Sequence, residues 1–129
     1  MQFETRTSYI SVIEDCIIYI KVRPDMHVEV KDAEENDEMI KRLNPDGKKV
    51  VLLHTQGIFT TGPDVLKRGA SEEASGLYKA LAILIDKHSP GLIGKYFIKV
   101  NKPKQPTQLF TKMEEALAWC REQYALANP

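Results

Sequence analysis

The sequence predicts one α/β domain built on a mostly parallel sheet with an antiparallel strand at its N-terminal end. Apolar strand segments and amphipathic helical segments follow one another in the order β-β-α-β-α-β-α-β-α. Short alternation of this kind implies parallel strands joined by right-handed crossovers. The 129 residues match the usual size of one domain, and no linker or internal repeat divides them. We therefore expect a single domain over residues 1–129.

The first two strands are expected to form a hairpin. Residues 9–13 and 16–22 are rich in β-branched and aromatic side chains, and the Glu14-Asp15 pair between them suits a tight turn. A helix is expected over residues 31–43, where apolar residues recur at helical spacing. The tetrapeptide Asn-Pro-Asp-Gly at 44–47 predicts a turn into a buried strand over 49–54.

The second half of the chain continues the alternation. Thr61, Gly62 and Pro63 predict a helix start with a hydroxyl or glycine cap, and Gly76 suits the end of that helix. The most continuous apolar segment, 77–86, predicts a central parallel strand. Ser89-Pro90 predicts the start of a helix that runs to about residue 100. A short strand over 107–110 and a C-terminal helix complete the pattern.

Composition excludes several classes of protein. Eighteen basic residues balance eighteen acidic ones, so no strong field would draw the chain to nucleic acid. The longest apolar run, residues 81–85, is too short to span a bilayer, and residues 1–7 lack an apolar signal segment. Cys16 and Cys120 have no metal or redox spacing and are expected to be reduced thiols. We therefore expect a cytoplasmic protein with no integral membrane segment and no nucleic-acid partner.

The sequence lacks the motifs that mark common enzyme and cofactor sites. There is no GxGxxG, GxxxxGK, GxSxG or HExxH string. Each of these motifs supplies a specific phosphate cradle, nucleophile or metal-ligand pair. We therefore expect a non-catalytic protein without a cofactor or a structural metal.

Polar residues follow two of the predicted parallel strands. His54 and Gln56 come at the end of the third strand, and Asp86 and His88 come at the end of the fourth. The carboxyl ends of parallel strands are where open α/β sheets usually bind ligands. These four residues are candidates for ligand-binding loops, with a lipid or an anionic metabolite as the ligand. An acid-base pair, a metal site and a plain solvated loop are alternative interpretations.

Two charged surfaces are interpreted as solvent-exposed faces without a specific role. The acidic face of the first helix comprises Asp32, Glu35, Asp37 and Glu38. The basic strip after residue 94 comprises Lys95, Lys99, Lys102 and Lys104, with Tyr96 and Phe97 between them expected in the core.

The last third of the chain carries a family resemblance. A hydrophobic strand is followed by Gly-Lys-Tyr-Phe-Ile-Lys-Val at 94–100, Asn-Lys-Pro at 101–103, Pro-Thr at 106–107, Leu-Phe at 109–110 and Glu-Glu-Ala-Leu-Ala-Trp at 114–119. This order resembles small bacterial STAS-like, or SpoIIAA-like, proteins of uncharacterised function. The resemblance implies the SpoIIAA-like α/β fold. It also implies a regulatory module that works by binding another protein.

Thr60 and Thr61 are the candidates for a phosphoacceptor or a partner surface that this resemblance implies. The better-known STAS relatives carry a phosphorylatable hydroxyl, preceded by an acidic residue, at the start of the helix after the third strand. Here the string at 59–62 is Phe-Thr-Thr-Gly, without that acidic residue. A plain helix cap is the alternative role for the two hydroxyls. Association with a second copy as a homodimer is a further prediction, because a hairpin can leave an exposed sheet edge.

Overall fold

The computed structural model describes residues 2–86 and 91–129. The strands are β1 (Gln2–Glu4), β2 (Ser8–Ile13), β3 (Ile17–Val22), β4 (His27–Val28), β5 (Val50–His54), β6 (Thr60–Thr61), β7 (Leu81–Leu84) and β8 (Thr107–Phe110). The helices are α1 (Val30–Leu43), α2 (Pro63–Gly69), α3 (Glu72–Ser75), α4 (Leu92–Tyr96), which continues as a π-helical turn (Phe97–Asn101), and α5 (Met113–Ala127).

One six-stranded sheet organises the chain, in the order β1-β2-β3-β5-β7-β8. The pairs β1–β2 and β2–β3 are antiparallel, whereas β3, β5, β7 and β8 pair in parallel. The predicted α/β fold, with antiparallel strands at the N-terminal end of a mostly parallel sheet, is confirmed. The sequence analysis missed β1, α3 and the two-residue strands β4 and β6, which pair with each other in a separate small sheet. Segments this short carry no readable periodicity.

The predicted hairpin turn is present between β2 and β3. Glu14 and Asp15 have φ angles of 52° and 59°, in the left-handed region. Positive φ at two successive residues gives a turn whose twist matches that of the flanking strands. The ladder accordingly closes with Ile13 opposite Ile17.

The predicted helix between Thr61 and Gly76 is two short helices. Gly62 precedes the first residue of α2, Pro63, and provides no side-chain cap, so the glycine alternative is the one observed. Ser71 then begins α3, with its hydroxyl accepting a hydrogen bond from the Ala74 amide at 3.2 Å. The Ser71 hydroxyl competes with a backbone carbonyl for the Ala74 amide, and this competition divides the helix into α2 and α3. The predicted helix start at Ser89-Pro90 lies outside the described residues.

The two faces of the sheet support two separate cores, because successive side chains of a strand point to opposite faces. One core contains Ile18, Ile20, Val51, Leu81 and Ile83, together with Ile40 of α1 and Phe97. The other contains Ile17, Val50, Leu52, Ala82 and Leu84, packed with Ala116 and Cys120 of α5. The sheet is therefore covered by α1 and the α4 segment on one face and by α5 on the other.

Two expectations about charged and aromatic side chains are wrong. Asp32 is buried rather than solvent-exposed: its carboxylate binds the Arg6 guanidinium at 2.6 and 2.8 Å and accepts a hydrogen bond from the Glu29 amide. Tyr96 is 50% exposed, whereas Phe97 is buried as expected. Helical rotation separates neighbours by about 100°, so the two rings of consecutive residues cannot both face the sheet.

Candidate functional site

A large cavity lies between the sheet and the helices α1, α2 and α4. Its volume is about 790 Å³, which is within the roughly 300–1,000 Å³ usual for small-molecule sites. The sheet contributes one wall with Ile20, Val22, Val51, Leu53, Leu81 and Ile83. Ile40 of α1, Leu66 of α2 and Phe97 line the helical side. The wall is therefore mainly aliphatic.

Small residues on the covering helices help to make this space. Ala33 of α1, Gly69 of α2 and Gly94 of α4 all line the cavity. A β-carbon at Gly69 would lie 3.2 Å from the Phe97 ring, and one at Gly94 would lie 2.6 Å from Leu109. At Gly69 and Gly94 the helices therefore approach their neighbours more closely than a larger residue would allow.

The mouth of the cavity is at the carboxyl ends of the parallel strands. Of the described lining residues, Gly57, Ile58 and Asp86 are the exposed ones, and Ile58 is 73% exposed. The Asp25 carboxylate accepts a hydrogen bond of 2.8 Å from the Ile58 amide, and Gly57 turns with a φ angle of 63°. The loop that carries Ile58 is thus held at the rim by a specific contact.

The inner end of the cavity carries the polar side chains Asp37 and Tyr78. The Asp37 carboxylate binds Arg68 of α2 at 3.1 Å. Burial raises the pKa of Asp37, and the Arg68 charge opposes this rise. Tyr78 is 7% exposed, and burial holds the pKa of its hydroxyl far above the ordinary value, so this hydroxyl is neutral and keeps its proton.

The ionisable side chains in the described part of the cavity wall are carboxylates. Among the described residues that line the cavity, Asp37 and Asp86 are the ionisable acids, and no lysine, arginine or histidine accompanies them. An anion inside the cavity would lose its water without gaining a cationic partner from this set, which is costly in an apolar environment.

His54 lies on the opposite face of the sheet from the cavity. Leu53 and Thr55 line the cavity, whereas His54 packs toward the second core, where the Tyr19 hydroxyl is 2.7 Å from its Nδ1. Burial lowers the pKa of His54, and the nearby charge of Lys21 lowers it further. Since alternate residues of a strand face opposite sides, His54 and the cavity residues of β5 are separated by the sheet itself.

The other three candidate ligand residues, Asp86, Gln56 and His88, differ in where they lie relative to the cavity. Asp86 lines the cavity at its mouth, as a polar residue at the carboxyl end of β7. Gln56 is half-buried, and its carbonyl accepts a long backbone hydrogen bond of 3.3 Å from Asp25, but its side chain is not part of the cavity wall. His88 lies outside the described residues. Of the three candidates within the described residues, the structure brings Asp86 to the cavity, and the role of all four as ligand residues stays a prediction.

Thr60 and Thr61 form the small strand β6 beside the cavity mouth. Thr60 is exposed, and its hydroxyl is 2.7 Å from Nδ1 of His27 on the paired strand β4. The Thr61 hydroxyl donates a hydrogen bond of 2.8 Å to the Val28 carbonyl, and Thr61 lines the cavity. Neither hydroxyl caps α2, so the helix-cap interpretation of the two threonines is wrong. Both hydroxyls instead contact residues of β4, the strand that pairs with β6, before α2 begins.

Sequence reasoning missed Asp37 and Tyr78 as cavity residues. Asp37 stands among acidic neighbours that suggested a solvated face, and Tyr78 stands in a run that suggested only core. The position of both side chains at the cavity depends on the approach of α1 and α2 to the sheet. A cavity at this place could have been suggested by the large aliphatic residues of the strands together with the small residues of the helices that cover them.

Two other kinds of feature are absent from the described residues. No three or more histidine, cysteine, aspartate or glutamate side chains are grouped so that they could hold a metal ion. Within residues 2–86 and 91–129, no helix combines the length and the apolar character needed to cross a bilayer.

The sheet order and the cavity together define an α/β domain of SpoIIAA-like fold. The chain belongs to the family described as a domain of unknown function, DUF7793, whose model matches residues 11–124. Its fold is similar to that of an uncharacterised DUF3478-family protein with a SpoIIAA-like fold from Shewanella loihica PV-4. That structure matches with a TM-score of 0.60 and 16% identity over 88% of this chain and 91% of that one. The resemblance to SpoIIAA-like proteins is therefore confirmed.

A weaker structural similarity is to a chain in the complex of the diguanylate cyclase SiaD with its activator SiaC from Pseudomonas aeruginosa. The TM-score is 0.46 and the identity 11%, over 85% of this chain and 99% of that one. No curated protein matches the sequence significantly.

Proposed function

We propose that this protein is a non-catalytic binding module that holds a small apolar ligand in the cavity between the sheet and α1, α2 and α4. The cavity of about 790 Å³ with its aliphatic wall is the observation that carries the proposal. Burial of an apolar ligand there would remove apolar surface of both the ligand and the protein from water, which is favourable by roughly 25 cal/mol for each Å². Such a site needs no reactive group to bind tightly.

The lining favours an apolar ligand over an anionic metabolite. The ionisable groups that the described wall presents are carboxylates, Asp37 and Asp86. A phosphate or carboxylate ligand normally requires an arginine, a lysine or a set of backbone amides to replace its water. A lipid-like molecule has no such requirement along its chain.

The hydroxyl groups of the wall support a binding role rather than catalysis. Thr55 and Thr61 donate to the backbone carbonyls of Leu84 and Val28, at 3.3 and 2.8 Å, and neither is paired with a histidine. A nucleophilic hydroxyl needs a base within hydrogen-bonding distance, and His54 is on the other face of the sheet. The proposal also places the protein in the cytoplasm, in keeping with its two free cysteines.

The direct test is titration with Nile red, an uncharged apolar dye, after lipid removal from the purified protein. We expect saturable binding to the wild type. Leu53→Trp should reduce binding at least tenfold, because it fills the cavity from β5. Leu126→Trp is the matched control, since Leu126 is 67% exposed on α5. Absence of saturable binding, or an equal loss in both variants, would contradict the proposal.

A second candidate function is protein interaction at the rim of the cavity. Ile58 is 73% exposed and lies two residues before the exposed Thr60, so a hydrophobic and a modifiable side chain share this surface. The SpoIIAA-like resemblance supports a regulatory partner, and phosphate on Thr60 would change the charge of the surface by roughly two units.

The test compares partners captured from the host by wild type, the double variant Thr60→Ala with Thr61→Ala, and Ile58→Ser. Leu126→Ser is the control at an exposed leucine remote from the rim. A partner lost in the rim variants but kept by the control supports the interaction. An unchanged partner set together with no phosphorylated peptide from residues 59–62 argues against it.

A further inference from the structure

The inner end of the cavity is chemically different from the rest. Along most of its length the wall is aliphatic, but the side chains of Tyr78 and Asp37 meet the cavity at the end away from the exposed residues Gly57 and Ile58. Tyr78 precedes β7 and so lies at the amino end of the strand, opposite the mouth at the carboxyl ends. A ligand that fills the cavity therefore meets an apolar wall first and a polar group last.

The polar groups at this end are incompletely used within the protein. Arg68 binds Oδ2 of Asp37, and no described residue binds Oδ1. The Tyr78 hydroxyl lies within hydrogen-bonding reach of the Gln105 side chain, and its own proton remains available to an acceptor. Within the described part of the chain, neither polar atom of the Gln105 side-chain amide, which is 7% exposed, has a partner of ordinary hydrogen-bond geometry.

Unsatisfied polar groups of this kind are unusual in a folded protein. Buried donors and acceptors are nearly always paired, and those left unpaired lower the stability of the fold. A ligand hydroxyl that bonds Tyr78 and Asp37 would use hydrogen-bonding capacity that both side chains retain. The buried site therefore favours a ligand with one hydrogen-bonding group at its inner end.

The charges at the inner end select an uncharged group. A carboxylate head group would face the negative charge of Asp37. Arg68 already forms an ion pair with Asp37. A hydroxyl meets no such repulsion, because it accepts from the Tyr78 hydroxyl and donates to an aspartate oxygen. The first of these bonds uses the proton that the Tyr78 hydroxyl keeps at neutral pH.

We infer that the ligand is a linear amphiphile with an uncharged hydroxyl head, bound with the head against Tyr78 and Asp37 and the chain extending toward Ile58. This inference rests on the proposed function and specifies the ligand class and its orientation. The polar inner end, the aliphatic middle and the open rim each match one part of such a molecule.

The test measures binding of 1-decanol and of decanoate at pH 7 by isothermal titration calorimetry. The two molecules share chain length and differ in the head group. We expect decanol to bind at least about tenfold more tightly, because the carboxylate loses its hydration beside Asp37. Tyr78→Phe should weaken decanol binding roughly three- to tenfold by removing one hydrogen bond.

Tyr96→Phe is the matched control, because the same atom is removed from a ring that is 50% exposed and outside the cavity wall. Thermal unfolding of both variants verifies that the fold is retained. Equal affinity for the two head groups, or an unchanged decanol affinity in Tyr78→Phe, would overturn the inference while Nile red binding still supports an apolar site. If Nile red fails to bind the wild type, the proposed function itself fails.

Discussion

The Tyr19 hydroxyl lies 2.7 Å from Nδ1 of His54, across the adjacent parallel strands β3 and β5 on the sheet face that α5 covers. This contact gives the half-buried imidazole a partner away from the cavity. The ring also sits opposite Lys21 in the strand register. Burial and the lysine charge both disfavour the protonated ring, and so link the stability of the fold to pH.

We predict that His54 makes the protein less stable as pH falls below neutrality. The folded-state pKa of His54 is lowered from the ordinary 6.5, so the unfolded chain binds the proton more tightly than the folded protein does. The stabilising contribution is therefore complete above about pH 6.5 and is lost as pH falls through the folded-state pKa. Chemical denaturation between pH 7.5 and 5 should show that the free energy of unfolding falls less steeply with pH in His54→Gln than in wild type.

His27→Gln is the control for this experiment, because His27 is exposed on β4. It removes an imidazole from the protein while the contact between Tyr19 and His54 stays intact. If the free energy of unfolding changes with pH in the same way in wild type and in His54→Gln, His54 does not cause the pH dependence.

The Arg6–Asp32 pair is predicted to anchor the start of α1. Asp32 accepts from the Glu29 amide in a capping box and binds the Arg6 guanidinium, with its own side chain only 4% exposed. Asp32→Asn should lower the free energy of unfolding at pH 7 by about 1–2 kcal/mol, because the amide keeps an acceptor for Glu29 but loses the charge that is hydrogen-bonded to Arg6. Urea denaturation measures this loss, and Glu34→Gln at an exposed position of the same helix should change little.

The acid dependence gives an independent measurement of the same contact. Hydrogen bonding to Arg6 lowers the pKa of Asp32 from 3.8 to about 2. Its contribution is thus present above pH 3.8 and is lost as pH falls through about 2. Asp32→Asn should remove this part of the acid sensitivity, and a variant as acid-sensitive as wild type over that range would contradict the role of the pair.

Gly47 is predicted to tolerate no side chain. Its φ angle is 69°, and an added β-carbon would lie 2.7 Å from the carbonyl oxygen of Gly76. Gly47→Ala should therefore lower the free energy of unfolding by about 1–3 kcal/mol through backbone strain. Gly76→Ala is the matched control: its φ angle is −86°, and its added β-carbon would have only an ordinary contact of 3.6 Å. Equal thermal stability of the two variants would contradict the prediction.

Local patterns were sufficient for the elements that carry the fold. The turn at 44–47, the hairpin at Glu14 and Asp15, and the buried strand that became β7 follow from side-chain shape and backbone preference alone. The break between α2 and α3 was missed, because the hydrogen bond from the Ala74 amide to the Ser71 hydroxyl competes with a helical pattern that reads as continuous.

The sequence by itself determined the class of this protein: the alternation of strand and helix, the balanced charge and the resemblance in the last third are all local or additive properties. The tertiary structure decided the site. Whether His54 faces the cavity depends on strand register, and whether Asp37 and Tyr78 meet inside depends on how closely α1 approaches the sheet. Both are properties of long-range packing, in which a shift of one residue moves a side chain to the other face of the sheet.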